Sequence, residues 1–327
     1  MKIAISLLLL LAVPALPAGS QEQPPAVQEI LTNALERAEW MRMQNWASRF
    51  RFRVLSQSEK LNKEGEVEES QERLYETLPI EGVSYSRLLE KDGKALTYRE
   101  IERERQREEE FRKKLREGKD PYGQNEDRVT FDENLINRYV IQSEGIEVIG
   151  ERPAYVLSFR PRSDDLPVEK PIDRALNKSQ GRLWIDTETH EILKLEFELL
   201  EKVGIWWGFV GSISTMRGEL ERAPVEGHDE AWLPKSFRVY MNGRVFFKSL
   251  HRNEHVRWSD FLPADEPAEL AKPTELPESE ETVTRVRRSR TVSGNLRRAR
   301  GEPWLPPCCL RHGLVASYRP VRWSALV

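Results

Sequence analysis

The chain has 327 residues, with 51 Lys and Arg against 54 Asp and Glu, a net charge of −3. That near balance hides an uneven split, with positive charge gathered at the C-terminal end and the rest of the chain acidic. Hydrophobic residues at 39% beside charged residues at 32% favour a thin, heavily solvated sheet over a thick, doubly covered one.

Lys2 and the apolar run "IAISLLLLLAVPAL" open the chain. The run is shorter than the roughly 20 residues of a membrane span. Ala18 and Ser20 stand at the minus-three and minus-one positions of a cut before Gln21. Residues 1–20 therefore read as a secretory signal peptide. No cysteine follows for lipid attachment, so the mature protein is expected in the periplasm and not as an integral membrane protein.

From Val27 on, Ile30, Leu31, Ala34, Leu35, Ala38 and Met41 or Met43 recur at helical spacing and predict one amphipathic helix. "FRFRVLS" then alternates, with Phe50, Phe52 and Val54 against Arg49, Arg51 and Arg53, as a half-buried strand does. Gly65 and Asp92-Gly93 mark tight turns. Residues 97–119 are almost wholly charged, with Ile101, Phe111 and Leu115 alone able to reach a core. This segment reads as a solvated helical insert supported by Glu/Arg pairs one turn apart; a mobile lid is the functional alternative.

Beyond Arg128 the strand pattern returns. A hairpin is expected around Gly150, and 164–180 reads as a loop. The stretch "GRLWIDTETHEILKLEFEL" is a second hairpin, with Leu183 and Ile185 on one face and Leu193, Leu195, Phe197 and Leu199 sharing a face after the turn. Asp186, Glu188 and Glu191 fall at its turn, where acids are tolerated by solvent. Trp184 lies on the charged face and is expected to cover the Lys194 stem there in a cation–π contact. Next comes the apolar run from Val203 to Val210, whose adjacent Trp206 and Trp207 must face opposite ways on a strand. A strand through Phe237, an Asn242-Gly243 hairpin turn and a last strand complete the series. From Leu262 the chain is Pro/Glu-rich and reads as a disordered linker. Residues 283–327 then carry ten arginines, no lysine, one acid (Glu302) and both cysteines, Cys308 and Cys309. Neighbouring cysteines rarely bridge each other. That end is either a basic tail for an anionic partner or a non-native end translated out of frame; its composition favours the second, and it is left out of the fold.

Helix followed by a meander of strands with tight turns gives α+β. The expectation is a strongly curved antiparallel sheet, an incomplete β-barrel, covered by the N-terminal helix and filling residues 26–261 as one domain.

Candidate chemistry is sparse. "HRNEH", His251 to His255, has the spacing of an inverted zinc-peptidase motif, but its flanks favour a strand. Residues four apart on a strand stand about 13 Å apart, too far to share one zinc at about 2 Å. "VGSIS" around Ser212 lacks the last glycine of a nucleophile elbow, and no phosphate-binding loop or dinucleotide fingerprint occurs. The expectation is a non-enzymatic protein without cofactor or metal.

Gly181, Leu183, Ile185, Asp186, Ile192 and Lys194, followed by the "WLP" of Trp232, Leu233 and Pro234, resemble the periplasmic lipoprotein-carrier superfamily, the outer-membrane lipoprotein-sorting (LolA-like) group. The resemblance spans about residues 26–261. It implies an open barrel whose apolar hollow takes up lipid or lipoprotein acyl chains, without nucleic acid as a partner. The candidate lining residues are Phe50, Phe52, Val54, Leu183, Ile185, Leu193, Leu195, Phe197 and Phe237. Related folds sense envelope stress, so a sensor that binds an envelope protein is the rival reading. The charged insert and the long tail depart from the carriers.

Overall fold

The computed structural model describes residues 25–122, 129–205, 211–245 and 248–265. The expected signal peptide, Trp206 and Trp207, most of the Pro/Glu-rich segment and the basic C-terminal stretch with its cysteines lie outside the described residues.

Helix α1, Val27–Gln44, buries Ile30, Leu31, Ala34 and Met41, one stripe at the predicted spacing. It ends where Asn45 adopts a left-handed conformation, φ 49°, a common helix stop. Strands β1 (Phe50–Leu61), β2 (Val67–Ile80), β3 (Val83–Lys91) and β4 (Lys94–Ala95) follow as a meander. Glu81-Gly82 and Asp92-Gly93, all with positive φ, form the two-residue turns whose twist matches paired strands. The charged insert is helix α2, Tyr98–Arg116, opened by a capping box between Thr97 and Glu100. Then come α3 (Glu133–Ile136), β5 (Tyr139–Ile149), β6 (Arg152–Pro161), α4 (Asp173–Leu176), β7 (Ser179–Asp186), β8 (Ile192–Leu199), β9 (Val203–Ile205), β10 (Gly211–Val225), β11 (His228–Val245) and β12 (Lys248–Pro263).

All the strands belong to one antiparallel sheet in the order β4-β3-β2-β1-β12-β11-β10-β8-β7-β6-β5, with β9 on β10. The first long strand and the last lie side by side over ten residue pairs, from Phe50 opposite Pro263 to Lys60 opposite Arg252. They join a short N-terminal meander to a long C-terminal one. The outermost strands, β4 and β5, do not pair with each other, so the barrel stays open. This is the α+β half-barrel with an N-terminal helix that the pattern predicts. The last strand runs to Pro263, past the boundary expected at residue 261.

Two local expectations are corrected. Asn242 and Gly243 do not turn the chain: β11 continues through both to Val245, which pairs with Lys248. Gly243 instead serves a close backbone approach. A Cβ there would lie 2.3 Å from the Ser212 carbonyl oxygen, beside a bulge between Ile213 and Thr215; glycine in a strand interior commonly marks such a place. The supposed loop at 164–180 is pinned through α4, where the buried Asp173 carboxylate accepts from the Glu169 and Lys170 amides and pairs with Arg138 at 3.0 Å.

Candidate functional site

The two faces of the sheet differ in chemistry. On the α1 side, Leu157, Leu183, Leu195, Leu220, Phe237 and Val256 stand opposite one another on β6, β7, β8, β10, β11 and β12. Together they make one apolar row across the sheet. Ile30, Leu31 and Ala34 of α1 pack on the β6–β7 end of that row, against Leu157, Leu183 and Ile185. Farther along, Leu220, Phe237, Val239 and Met241 form a second cluster, with Leu195, Phe197 and Met216 at its edge. Among the described residues no helix contributes to this second cluster.

The nine residues expected to line an apolar hollow are split by the register. Leu183, Ile185 and Leu195 sit with α1. Phe197 and Phe237 belong to the second cluster, which Leu195 also touches. Phe50, Phe52 and Val54 pack instead with Val225, Ala231 and Leu233. Leu193 joins Met41, Trp184 and Trp232. Its separation from Leu195 has a local cause: Trp184 pairs with Lys194 and Ile185 with Ile192, so Leu193 is the extra residue of a bulge, and bulges interrupt strand alternation.

The other face holds an open hollow of about 870 Å³. From β5 it is bordered by Val140 and Gln142 but not by Ile141, which packs toward α1. Side chains alternate across a strand, so the hollow lies on the face opposite Ile30, Leu31 and Ala34 of α1, whereas Met41 near the helix's other end clusters with Val156 and Trp184. Of the nine candidates only Phe197 borders it. Its wall is polar: Ser158, Arg182, Glu196, Glu219, Arg238 and His255 stand in one row across β6 to β12. Lys194 holds Glu196 at 2.7 Å and Glu219 at 3.4 Å. Burial opposes the Lys194 charge, but these two carboxylates outweigh it and hold the ammonium above its usual pKa. Lys194 also lies 5.0 Å from the centre of the Trp184 ring, the contact the alternation predicts. The indole is nonetheless buried, and its N–H donates to Glu147 at 2.9 Å.

The acids of the β7–β8 turn were expected in solvent, and two of them are not. Glu191, only 2% exposed, accepts from Arg37 of α1 at 2.6 Å and from Arg222 of β10 at 3.0 Å. Arg222, itself buried, also donates to the Trp232 carbonyl at 2.9 Å. Asp186 accepts from the Glu188 and Thr189 amides and the Thr189 hydroxyl. Burial works against its ionisation, yet these donors and Arg152 hold the carboxyl below the usual aspartate range. An Asp followed three residues later by Thr at a turn was the one local signal of this closure; nothing local announced Glu191.

"HRNEH" is part of β12, with no helix to bring its histidines together. The Asn62 carbonyl can only accept, so His251 Nδ1 donates to it at 2.7 Å, leaving Nε2 to accept from the Tyr240 hydroxyl at 2.9 Å. Both nitrogens are thus committed. Among the described residues no group of three or more His, Cys, Asp or Glu side chains is placed to hold a metal ion, and no helix is long and apolar enough to cross a membrane.

No protein-family model matches the chain, and no curated protein does. Among solved structures it is similar to a putative outer membrane lipoprotein-sorting protein domain from Vibrio parahaemolyticus, at 10% identity and a TM-score of 0.32, covering 73% of this chain and 95% of the other. A LolA superfamily protein from Nitrosomonas europaea matches at 13% identity and a TM-score of 0.25, covering 72% and 94%. The Pseudomonas aeruginosa MucA/MucB complex matches at 13% identity and a TM-score of 0.18, covering 68% and 93%.

Proposed function

We propose that this is an exported, non-enzymatic binding protein of the periplasm that holds a lipophilic ligand, such as a lipid or the acyl chains of a lipoprotein, against the apolar face of its open sheet. One observation carries the reading: the apolar row runs across six strands, and α1 packs on only one end of it. Beyond the helix, Leu195, Phe197, Leu220, Phe237, Val239 and Met241 form a second apolar cluster. Phe237, Leu220, Val239 and Met241 are buried there without a helix among the described residues, so an acyl chain would enter by parting the curved sheet at this cluster, gaining about 0.8 kcal/mol for each methylene removed from water. No catalytic group is needed. The lipoprotein-carrier resemblance of Gly181 to Lys194 supports the same use.

On this reading the ligand runs along Leu195, Phe197 and Phe237, with Leu183 and Ile185 beneath α1. Phe50, Phe52, Val54 and Leu193 serve the ligand only through the walls they support. Native mass spectrometry of the protein purified gently from cells tests it. Bound lipid is expected, and an apo mass in every preparation overturns the reading.

A further inference from the structure

The polar hollow is bordered by four arginines, Arg160, Arg182, Arg217 and Arg238, and four glutamates, Glu196, Glu198, Glu219 and Glu254, but the two signs are not paired with each other throughout. Its acids are occupied. Glu196 and Glu219 clamp Lys194, and Glu198 accepts from Gln180 at 2.8 Å. Glu254 also borders the hollow, but it stands opposite Val239 in the row that points toward α1 and pairs with Arg252 at 3.4 Å. Of the arginines, Arg182 pairs with Glu144 at 3.0 Å, and Arg160 is exposed at the β6 border of the hollow, away from β10 and β11. Arg217 and Arg238 are both exposed, and neither has an acidic oxygen within 4 Å among the described residues.

Their placement converges. Arg217 stands opposite Tyr240, and Glu219 stands opposite Arg238, so the two arginines are diagonal neighbours on β10 and β11. Diagonal neighbours lie about 7–8 Å apart, a gap two long side chains can close on one group. The Arg217 guanidinium rests 4.9 Å from the Tyr240 ring centre, which holds it over the hollow. Opposite Arg238 is His255, whose Nε2 is buried without a hydrogen-bond partner among the described residues. Burial, together with Arg238 and Arg257, pushes the pKa of this imidazole down against the pull of Glu221. The neutral ring is therefore favoured near pH 7, and its enclosed, unpartnered Nε2 reaches a ligand in the hollow only after the ring turns. Two guanidinium forks and one ring N–H are the donors that a tetrahedral or planar oxyanion takes. The volume, about 870 Å³, falls in the usual range of small-molecule sites.

We infer that this hollow is a second binding site, for a phosphate group, held by Arg217 and Arg238 with His255 as the third donor. It does not rest on the lipid reading, which concerns the opposite face. The phosphate could be free or the headgroup of an anionic lipid.

NMR of the mature full chain, following the His255 ring and the arginine Nε–H resonances, tests it. The probes are inorganic phosphate and a short-chain phosphatidylglycerol below its micelle concentration, with the matching phosphatidylcholine as a control. Saturable shifts with both phosphate and phosphatidylglycerol identify a free-phosphate site; shifts with phosphatidylglycerol alone identify a headgroup site. Shifts of equal size with phosphatidylcholine overturn the assignment, as does the absence of any saturable shift. The double variant R217Q/R238Q alters two exposed side chains, so its fold is expected to persist, verified by unmoved Leu183 and Ile185 methyl signals. Its affinity for the responding probe is expected to fall at least tenfold, and undiminished binding overturns the proposal. Loss here with retained acyl-chain binding separates this site from the apolar one.

Discussion

The two long helices, α1 and α2, are attached to the same sheet by opposite means. The first buries four apolar side chains and places Arg37 on a carboxylate that is itself interior, Glu191. The second buries a single residue, Phe111, against Ile80 and Tyr85. Its other ties are polar and half-exposed: Glu108 bridges Arg87 and Arg112, each at 2.8 Å, and Glu104 accepts from the Leu88 amide at 3.1 Å. Ion pairs in solvent contribute little, about 0–1 kcal/mol, whereas breaking a buried one leaves a charge without a partner. So α1 should be part of the cooperative core and α2 a cover that detaches locally.

The largest test removes the buried carboxylate. Glu191→Ala strands Arg222 in the interior and is expected to cost about 3–5 kcal/mol in urea unfolding; a loss below 1 kcal/mol would mean that the α1 attachment is not electrostatic. Next, Leu183→Ala beneath α1 should cost about 2–5 kcal/mol globally. Phe111→Ala should instead raise hydrogen exchange in α2 while the amides of β7 and β8 keep their protection; a uniform rise would break the contrast. Smaller again, Glu108→Ala should change global stability by less than about 1 kcal/mol, read as a shift in the urea midpoint.

The smallest test uses pH. Asp186 has a lowered folded pKa, after burial is outweighed by Thr189, Glu188 and Arg152. Its contribution is therefore full above the unfolded aspartate value near 4 and lost as pH falls through the lower folded value. Asp186→Asn should be destabilising at pH 7, and the difference from the parent should shrink below pH 4. A difference that stays constant with pH would remove the charge from the account. Glu254 runs the other way: burial raises its pKa against Arg252. Ionised Glu254 thus costs stability at pH 7, and Glu254→Gln should relieve that cost above the glutamate range and gain nothing below it.

Much of the fold was legible. The period of Ile30, Leu31, Ala34 and Met41, the alternation of β1, β7 and β8 and the turns at Gly65, Gly93 and Gly150 are local facts of spacing and backbone preference. The candidate site was less so, because one bulge at Leu193 is enough to separate it from Leu195, and strand alternation carries no mark of a bulge. Asn242-Gly243 misled for a related reason: the dipeptide suits a turn, but Gly243 is needed where two backbones close on each other.

By itself, then, the sequence determined most of the elements, the apolar and polar faces of the regular strands and the open antiparallel class, since these follow from interactions a few residues apart. Only the tertiary structure decided that β1 lies beside β12, that the hollow opens on the charged face, and that Glu191 is interior. Its two partners stand 154 and 31 residues away. Whether a turn acid meets water or two guanidinium groups is set by which distant strands and helix are folded against it, and no local pattern encodes that.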